Sequence, residues 1–493
     1  MITDNSVNGF YQKLHRCISG SGSDAYRYFG ERRSYSELYS NMLKMNSALS
    51  PHRNEKIVVY ADKGFSSYAA IFSILLSGNV WIPLSLEIPE TRLVEILKQV
   101  KPKLILSNLE LPLLLDEYAK DNAVENVNMD KLISGNDKRV FKDIDFKKDD
   151  IAYIMFTSGS TGVPKGVPMT HENYINFINN CMEILPFKKG DVFSDYHDFA
   201  FDISIFYLFC CPLNEGAFAP VMNESDKIVP LRFMQENEVT VWSSVPSVIS
   251  RIKSLNPEGS IATKIRIMFL CGEPFSMKVL SYCIDNMAVP NIYNFYGLTE
   301  TGVENFYHKC SKEDLAEYEQ FGFVPIGEPL KGNTVRVTGD KELLLSGCQI
   351  TPGYLGGVGA DRFEVIDGVS FFHTGDIVEQ YNEVFFCKGR MDSQVKLKGY
   401  RVELMDIEVH MKRFPGIDEA VCFVHKKRNK NVLSSVVKPK NNAALNTGEL
   451  MRYISGQLPH YMVPSRIIIQ DEIPVNRNGK IDRKKIREMH EEA

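Results

Sequence analysis

No apolar run in this 493-residue chain approaches the ~18 residues that a membrane-crossing helix needs. Its first residues, MITDNSVNGFYQKLHR, lack the basic-then-apolar order of a secretory signal peptide, so export is not expected. Ten cysteines are scattered without a Cys-x-x-Cys pair, and no histidines gather at metal-ligand spacing. Reduced thiols and a cytoplasmic location are therefore expected. Lys and Arg total 57 against 62 Asp and Glu, a net charge of -5, which leaves no basic surplus for a nucleic-acid surface. Long repeats and low-complexity segments are also absent.

What is present is the composition of an ordinary globular protein, with 44% hydrophobic and 24% charged residues. The length is too great for one core, so two or three domains are expected. Residues 1–50 carry helical patterning, with Tyr35, Leu38, Met42 and Met45 on one face. Lys56 to Ala61, Trp81 to Leu84 and Lys103 to Ser107 read as strands, separated by helices at Ser66 to Leu76 and Leu93 to Val100. That alternation indicates parallel βαβ construction. Residues 108–150 are polar and charged and read as an insertion. Strands follow at Val239 to Ser244, Ile265 to Cys271 and Asn291 to Phe295. Beyond Phe323 short alternating strands with Gly turns predict a small β-rich subdomain. From about residues 388–393 the chain turns basic, and a compact α+β unit of ~90 residues completes it.

The stretch Ile151 to Val167, IAYIMFTSGSTGVPKGV, stands apart. A buried strand breaks into Thr157, Ser158, Gly159, Ser160, Thr161 and Gly162, then Pro164, Lys165 and Gly166. Residues with a hydroxyl or no side chain let backbone N–H groups approach a polyanion, and Lys165 adds positive charge. A flexible linker has similar composition but does not usually follow a buried strand and carry a lysine. The Walker pattern G-x-x-x-x-G-K-[ST] is not met in this stretch.

Eight blocks in order resemble the adenylate-forming ligase superfamily: acyl-CoA synthetases, luciferases and peptide-synthetase adenylation domains. They are LLSGNVWIPLSLEIPETRL at 75–93, the TSGSTGVPKG loop, Phe201-Asp202-Ile203-Ser204, NFYGLTE at 294–300, and His373-Thr374-Gly375-Asp376. GRMDSQVKLKGYRVELMDIE at 389–408, LPHYMVP at 458–464 and NGKIDR at 478–483 complete the set. The resemblance implies an α/β fold. A large N-terminal domain, residues 1–390, would hold doubly wound α/β subdomains plus the small β-rich one. A small mobile α+β domain, residues 391–493, would carry the catalytic lysine.

The resemblance also implies roles. ATP and a carboxylate would give an acyl-AMP and pyrophosphate, and a thiol would then displace AMP. Thr157, Ser158, Gly159, Ser160, Thr161, Gly162 and Lys165 would hold the triphosphate. Thr299 would contact the α-phosphate and Glu300 would bind Mg²⁺, a hard cation suited to carboxylate oxygen. Tyr296 would stack on adenine. Asp376 would accept both ribose hydroxyls, with Arg390 nearby. Lys480 would bridge the carboxylate and the α-phosphate in the transition state, and Asp392 would be the hinge. Read singly, Asp376 is a turn residue, Glu300 a helix cap, Tyr296 core packing and Lys480 a solvated charge.

Asp202 selects the branch. Amino-acid-activating members carry an Asp here for the substrate ammonium, and a carboxylate facing an apolar pocket needs a cation. The alternative for Asp202 is a cap on a helix starting near Ile203. The remaining pocket positions would be Ile203, Phe206, Ser243, Phe269, Cys271, Phe295, Val303 and Glu304. Three phenylalanines imply a shallow pocket, and Glu304 implies a polar or amine-bearing substrate. TVWSSVPS at 240–247 and MFLCGEP at 268–274 are similar to D-alanine:carrier-protein ligases. No Gly-Gly-x-Ser attachment motif follows residue 393 and no HHxxxDG occurs, so the acceptor is expected to be a separate phosphopantetheinyl carrier protein or coenzyme A.

Four positions depart from the pattern: Leu298 replaces Pro, Met405 replaces Gly, His373 replaces Arg or Lys, and Phe372 replaces Tyr. Leu298 and Thr301-Gly302 resemble acyl- and aryl-acid members. An acyl- or aryl-CoA ligase is therefore the alternative reading.

Overall fold

The computed structural model describes residues 6–159, 162–391, 394–397, 399–427, 430–440, 445–474, 481 and 483–490. The chain forms two compact bodies. One comprises Met1–Ser85, Val100–Met155 and Gly166–Gly389, and the other Leu86–Gln99, Phe156–Lys165 and Arg390–Ala493.

Three sheets organise the larger body. A six-stranded sheet runs in the order Glu125–Asn128, Leu104–Ser107, Lys56–Tyr60, Val80–Leu84, Ile151–Thr157, Lys165–Thr170. Lys56–Tyr60 pairs in parallel with both of its neighbours. Its central strands are buried along nearly their whole length, which explains why KIVVY, VWIPL and LILS are continuous apolar runs rather than alternating ones. The helix Phe65–Leu76 is apolar on nearly all sides and buried along almost its full length.

The expected insertion at 108–150 instead contributes one strand to this sheet. Glu125–Asn128 pairs in parallel with Leu104–Ser107, flanked by helices Leu113–Asp121 and Met129–Ser134. It is an edge strand with two exposed and two half-buried residues, so it carries none of the apolar patterning that marks its neighbours. The helical reading of residues 1–50 also needs correction. Helices Val7–Gly20 and Tyr35–Leu49 are present, the latter burying Tyr35, Leu38, Met42 and Met45. Between them lies an antiparallel ribbon, Asp24–Tyr28 with Glu31–Ser34.

A nine-stranded sheet places Asn291–Tyr296, Ile267–Leu270, Val241–Ser244, Val192–Asp195 and Ala217–Pro220 side by side in parallel. Phe306–Cys310 turns back antiparallel against Asn291–Tyr296. Open parallel sheets present their ligand crevices at the carboxyl ends of the strands. Ser243, Phe269, Phe295 and Tyr296 all sit in the carboxyl halves of three adjacent strands. A third, five-stranded sheet follows. In it Val369–Tyr381 pairs with Glu342–Gly347, Phe363–Ile366 and Val384–Arg390. It carries His373 to Asp376.

In the smaller body a three-stranded sheet, Ile417–Lys427, Lys430–Pro439 and Arg466–Ile469, packs with the helices Leu404–Lys412 and Thr447–Ser455. A hairpin pairs Gln394–Leu397 with Tyr400–Glu403. Arg92, on the helix Glu90–Val100, donates to both oxygens of Asp406 at 3.3 and 2.6 Å. His410 Nδ1 lies 3.2 Å from the same carboxylate. All three side chains are buried. The charges around Asp406 hold its carboxyl below the usual range, although burial, the largest single influence, acts upward. Among the described residues no helix is long and apolar enough to cross a membrane. All ten cysteines are free thiols.

Candidate active site

In the larger body the carboxyl end of strand Asn291–Tyr296 runs through Gly297 into a short 3-10 turn, Thr299–Thr301. A Cβ at Gly297 would collide with the carbonyl oxygen of Val303 and the backbone of Glu304. Only glycine therefore lets residues 303–304 cross so close to the strand end. The Asn305 N–H donates to the Tyr296 carbonyl at 2.7 Å, and Gln349 Nε2 donates to the Glu304 carbonyl at 2.8 Å, which holds that crossing in place.

Glu300 is buried, 1% exposed, and its Oε1 accepts the Tyr354 hydroxyl at 2.7 Å. Thr299 beside it is half-buried. The Glu300 carbonyl accepts the Thr351 N–H at 2.9 Å. The Tyr296 ring is buried with its edge on Phe306, and its hydroxyl donates to Asp376 Oδ2. The Asp376 N–H donates to Thr374 Oγ1 at 3.0 Å. The structure thus brings Tyr296 and Asp376 together across 80 residues of chain. Tyr354, in TPGYLGG, was not foreseen. A lone aromatic in a Gly-rich turn was the only signal it offered.

The pocket positions converge more tightly. Phe206 stacks on Phe269 with centroids 4.2 Å apart, and Phe269 on Phe295 at 4.0 Å and 13°. Ile203, Phe206, Phe269, Cys271, Phe295 and Val303 are all part of the main apolar core of the larger body, which also takes in residues as far away in the chain as Phe10, Leu104 and Phe372. Ser243 is the register partner of Phe269 on the neighbouring strand. Its hydroxyl is buried without a hydrogen-bond partner. Glu304, 5% exposed, is the buried acid of this set. Its charge, after burial and Cys210, pushes the Cys181 thiol up.

Asp202 precedes the helix Ser204–Leu213 and is half-buried. Its Oδ1 accepts the Ile203 N–H at 2.8 Å, at the entry to that helix. Burial first, and then the Asp202 charge, lift the Tyr153 phenol well above its usual pKa. Phe199, three residues before Asp202, packs edge-on against Tyr68 within the same core.

The Ser/Gly loop belongs to the smaller body. Thr157 ends strand Ile151–Thr157 and Lys165 opens strand Lys165–Thr170. A Cβ on Gly159 would strike the Val163 carbonyl oxygen, and the Gly162 N–H closes a turn onto the Gly159 carbonyl at 3.0 Å. Ser158 Oγ donates to the Arg401 carbonyl and accepts the Glu403 N–H, each at 3.3 Å. Arg390 ends strand Val384–Arg390 and is half-buried. Ser160, Thr161, Asp392 and Lys480 lie outside the described residues.

Residues 18–355 match the family model described as "AMP-binding enzyme", and residues 406–480 match that of the "AMP-binding enzyme C-terminal domain". The chain belongs to the AMP-binding enzyme family. As a member it is an ATP-dependent, AMP-forming ligase with a mixed α/β fold. It is similar to the D-alanine--D-alanyl carrier protein ligase of Staphylococcus epidermidis, 27% identical over 98% of each chain. The ligase of the same name from Bacillus velezensis is 26% identical over 94% of this chain and 96% of that one. A solved structure with the same fold is the Vibrio cholerae adenylation domain AlmE in complex with glycyl-adenosine-5′-phosphate. Its TM-score is 0.83 at 20% identity, covering 98% of each chain.

Proposed function

We propose that this AMP-binding enzyme activates a small amino acid as its aminoacyl-AMP, releasing pyrophosphate, and passes it to the phosphopantetheine thiol of a separate carrier protein. The observation that carries this reading is the stack of Phe206, Phe269 and Phe295, with Asp202 four residues before Phe206 and the buried Glu304 after the strand that carries Phe295. Carboxylates beside such a stack favour a ligand with a cation, which an amino acid supplies as its ammonium and a fatty or aryl acid does not. The three stacked rings fill space a long side chain would need, which supports a small substrate. The curated relatives are named for D-alanine and a carrier protein, which supports the acceptor.

On the nucleotide side, Asp376 takes the ribose hydroxyls and Tyr296 the adenine. Glu300 would hold Mg²⁺, which would supply positive charge to offset the phosphates. Among the described residues no group of three or more His, Cys, Asp or Glu could hold a metal alone. One buried carboxylate, completed by nucleotide phosphates, fits Mg²⁺, which commonly binds through one or two carboxylates and substrate phosphates. Thr157 to Lys165 hold the triphosphate, and Lys480 neutralises charge at the reacting carboxylate. Ten free thiols support a reducing, cytoplasmic setting.

The test is acid-dependent ATP–pyrophosphate exchange with a panel of amino, aryl and fatty acids, followed by mass measurement of a holo-carrier protein. Exchange with small amino acids and a mass gain on the carrier are expected. Exchange only with acids lacking an ammonium would replace this reading with an acyl- or aryl-CoA ligase. A Lys480→Ala protein with undiminished exchange would remove Lys480 from the mechanism.

A further inference from the structure

The residue before Thr374-Gly375-Asp376 is histidine here, where the pattern this chain resembles has Arg or Lys. His373 Nδ1 lies 3.0 Å from Glu342 Oε2, and His373 Nε2 lies 2.9 Å from Glu364 Oε2. Only the doubly protonated imidazolium can donate to both carboxylates. The other oxygen of Glu342 accepts the Gly375 N–H at 2.9 Å. Thr374 Oγ1 donates to the Leu343 carbonyl at 2.7 Å and accepts the Asp376 N–H at 3.0 Å. Hydrogen bonds thus lead from the imidazole through Glu342 to the Gly375 N–H, and Thr374 Oγ1 separately ties Leu343, the residue after Glu342, to the Asp376 N–H.

We infer that His373 is a positioning residue for the nucleotide: as an imidazolium it clamps Glu342, and through Glu342 and the Gly375 N–H it sets the Asp376 carboxylate. This rests on the reading that Asp376 takes the ribose hydroxyls. The charged groups facing His373 are Glu342 on strand Glu342–Gly347, Glu364 on strand Phe363–Ile366, and Arg362, whose guanidinium reaches the His373 carbonyl at 3.3 Å.

Burial lowers the His373 pKa, but hydrogen bonds and charge from Glu342 and Glu364 outweigh it, and the value rises above the ordinary 6.5. The clamp is therefore complete below pH 6.5 and is lost as pH climbs through the raised value. A neutral imidazole keeps one N–H, so one of the two carboxylates then faces a lone pair. A lysine or arginine at this position would not release over that range.

The experiment measures the KM for ATP in amino-acid-dependent exchange from about pH 6 to about pH 9. It compares the wild-type protein with His373→Lys, His373→Gln and Asp376→Asn. Dividing wild-type values by His373→Lys values at each pH removes the titration of the nucleotide itself. That ratio is expected to rise about three- to tenfold across the range, the scale of a partly exposed charge-assisted pair, with kcat moving less. His373→Gln is expected to show the high KM at every pH.

A constant ratio, or a His373→Gln protein that matches wild type at the acid end, overturns the proposal. If Asp376→Asn raises KM while the ratio stays constant, only the His373 role falls. If Asp376→Asn leaves KM unchanged, the ribose assignment falls and the His373 role with it. Should His373→Gln fail to fold by thermal melting, the wild-type to His373→Lys ratio decides alone.

Discussion

On the proposed nucleotide side, hydrogen bonds join Tyr296 to Asp376 and Tyr354 to Glu300. On the proposed acid side, Phe206, Phe269 and Phe295 meet ring to ring. Hydrogen bonds fix direction as well as distance, so each partner has one chemically acceptable type and place. Ring packing fixes volume and tolerates hydrophobic swaps that conserve it. A ligase built this way can change the acid it activates without disturbing how it holds ATP. The reverse change would need several polar partners to move together.

Substitutions can break or sharpen that contrast. The largest effect is expected from Phe269→Ala, which removes the middle ring of the stack. It should destabilise the larger body by about 3–5 kcal/mol in urea unfolding and admit bulkier acids in exchange assays. A melt like that of wild type would mean the stack contributes little. Next, Glu300→Gln should lower exchange by about 10²–10³-fold, comparable to losing a major electrostatic group. The loss should be the same for every acid tested, whereas an acid-dependent loss would blur the two sides. Asp202→Asn should reduce kcat/KM for the amino acid by about 10–100-fold while leaving the KM for ATP within about twofold. Equal loss on both substrates would remove Asp202 from the acid side. Tyr354→Phe is the mildest, expected to weaken nucleotide use by about 1 kcal/mol through the lost phenol donor to Glu300.

How far these features were legible differs from element to element. KIVVY, VWIPL and IAYIMFT declare themselves, because strands buried in the sheet interior must be apolar along most of their length. ENVN and ERRS do not, since they are edge strands, largely in water, that carry charge or amides. DAYRY, paired on both sides, is buried only at Ala25 and Tyr26 and is too short and polar to stand out. In the site, motif order pointed to Glu300, Asp376 and the phenylalanines. Nothing in the text pairs Tyr296 with Asp376, or His373 with Glu342 and Glu364, because those bonds join strands across 80, 31 and 9 residues of chain. The same holds for Gly297: its need for glycine becomes visible only when residues 303–304 are seen crossing against it. Contacts of this kind arise from sheet register, which local periodicity does not report.

The Arg92–Asp406 pair has an evolutionary consequence. Its members are 314 residues apart in the chain, both are buried, and the guanidinium uses its two-pronged face on one carboxylate. Losing Asp406 would strand the Arg92 guanidinium away from water, and losing Arg92 would leave the buried Asp406 carboxylate with only the His410 contact, each costlier than losing both. Lys cannot stand in for the fork of Arg92, because its single ammonium lacks that geometry. The two positions are therefore not free to drift separately among descendants of this chain. Wherever one changes, a matching change at the other should accompany it, so two distant stretches of the gene are bound to a common history.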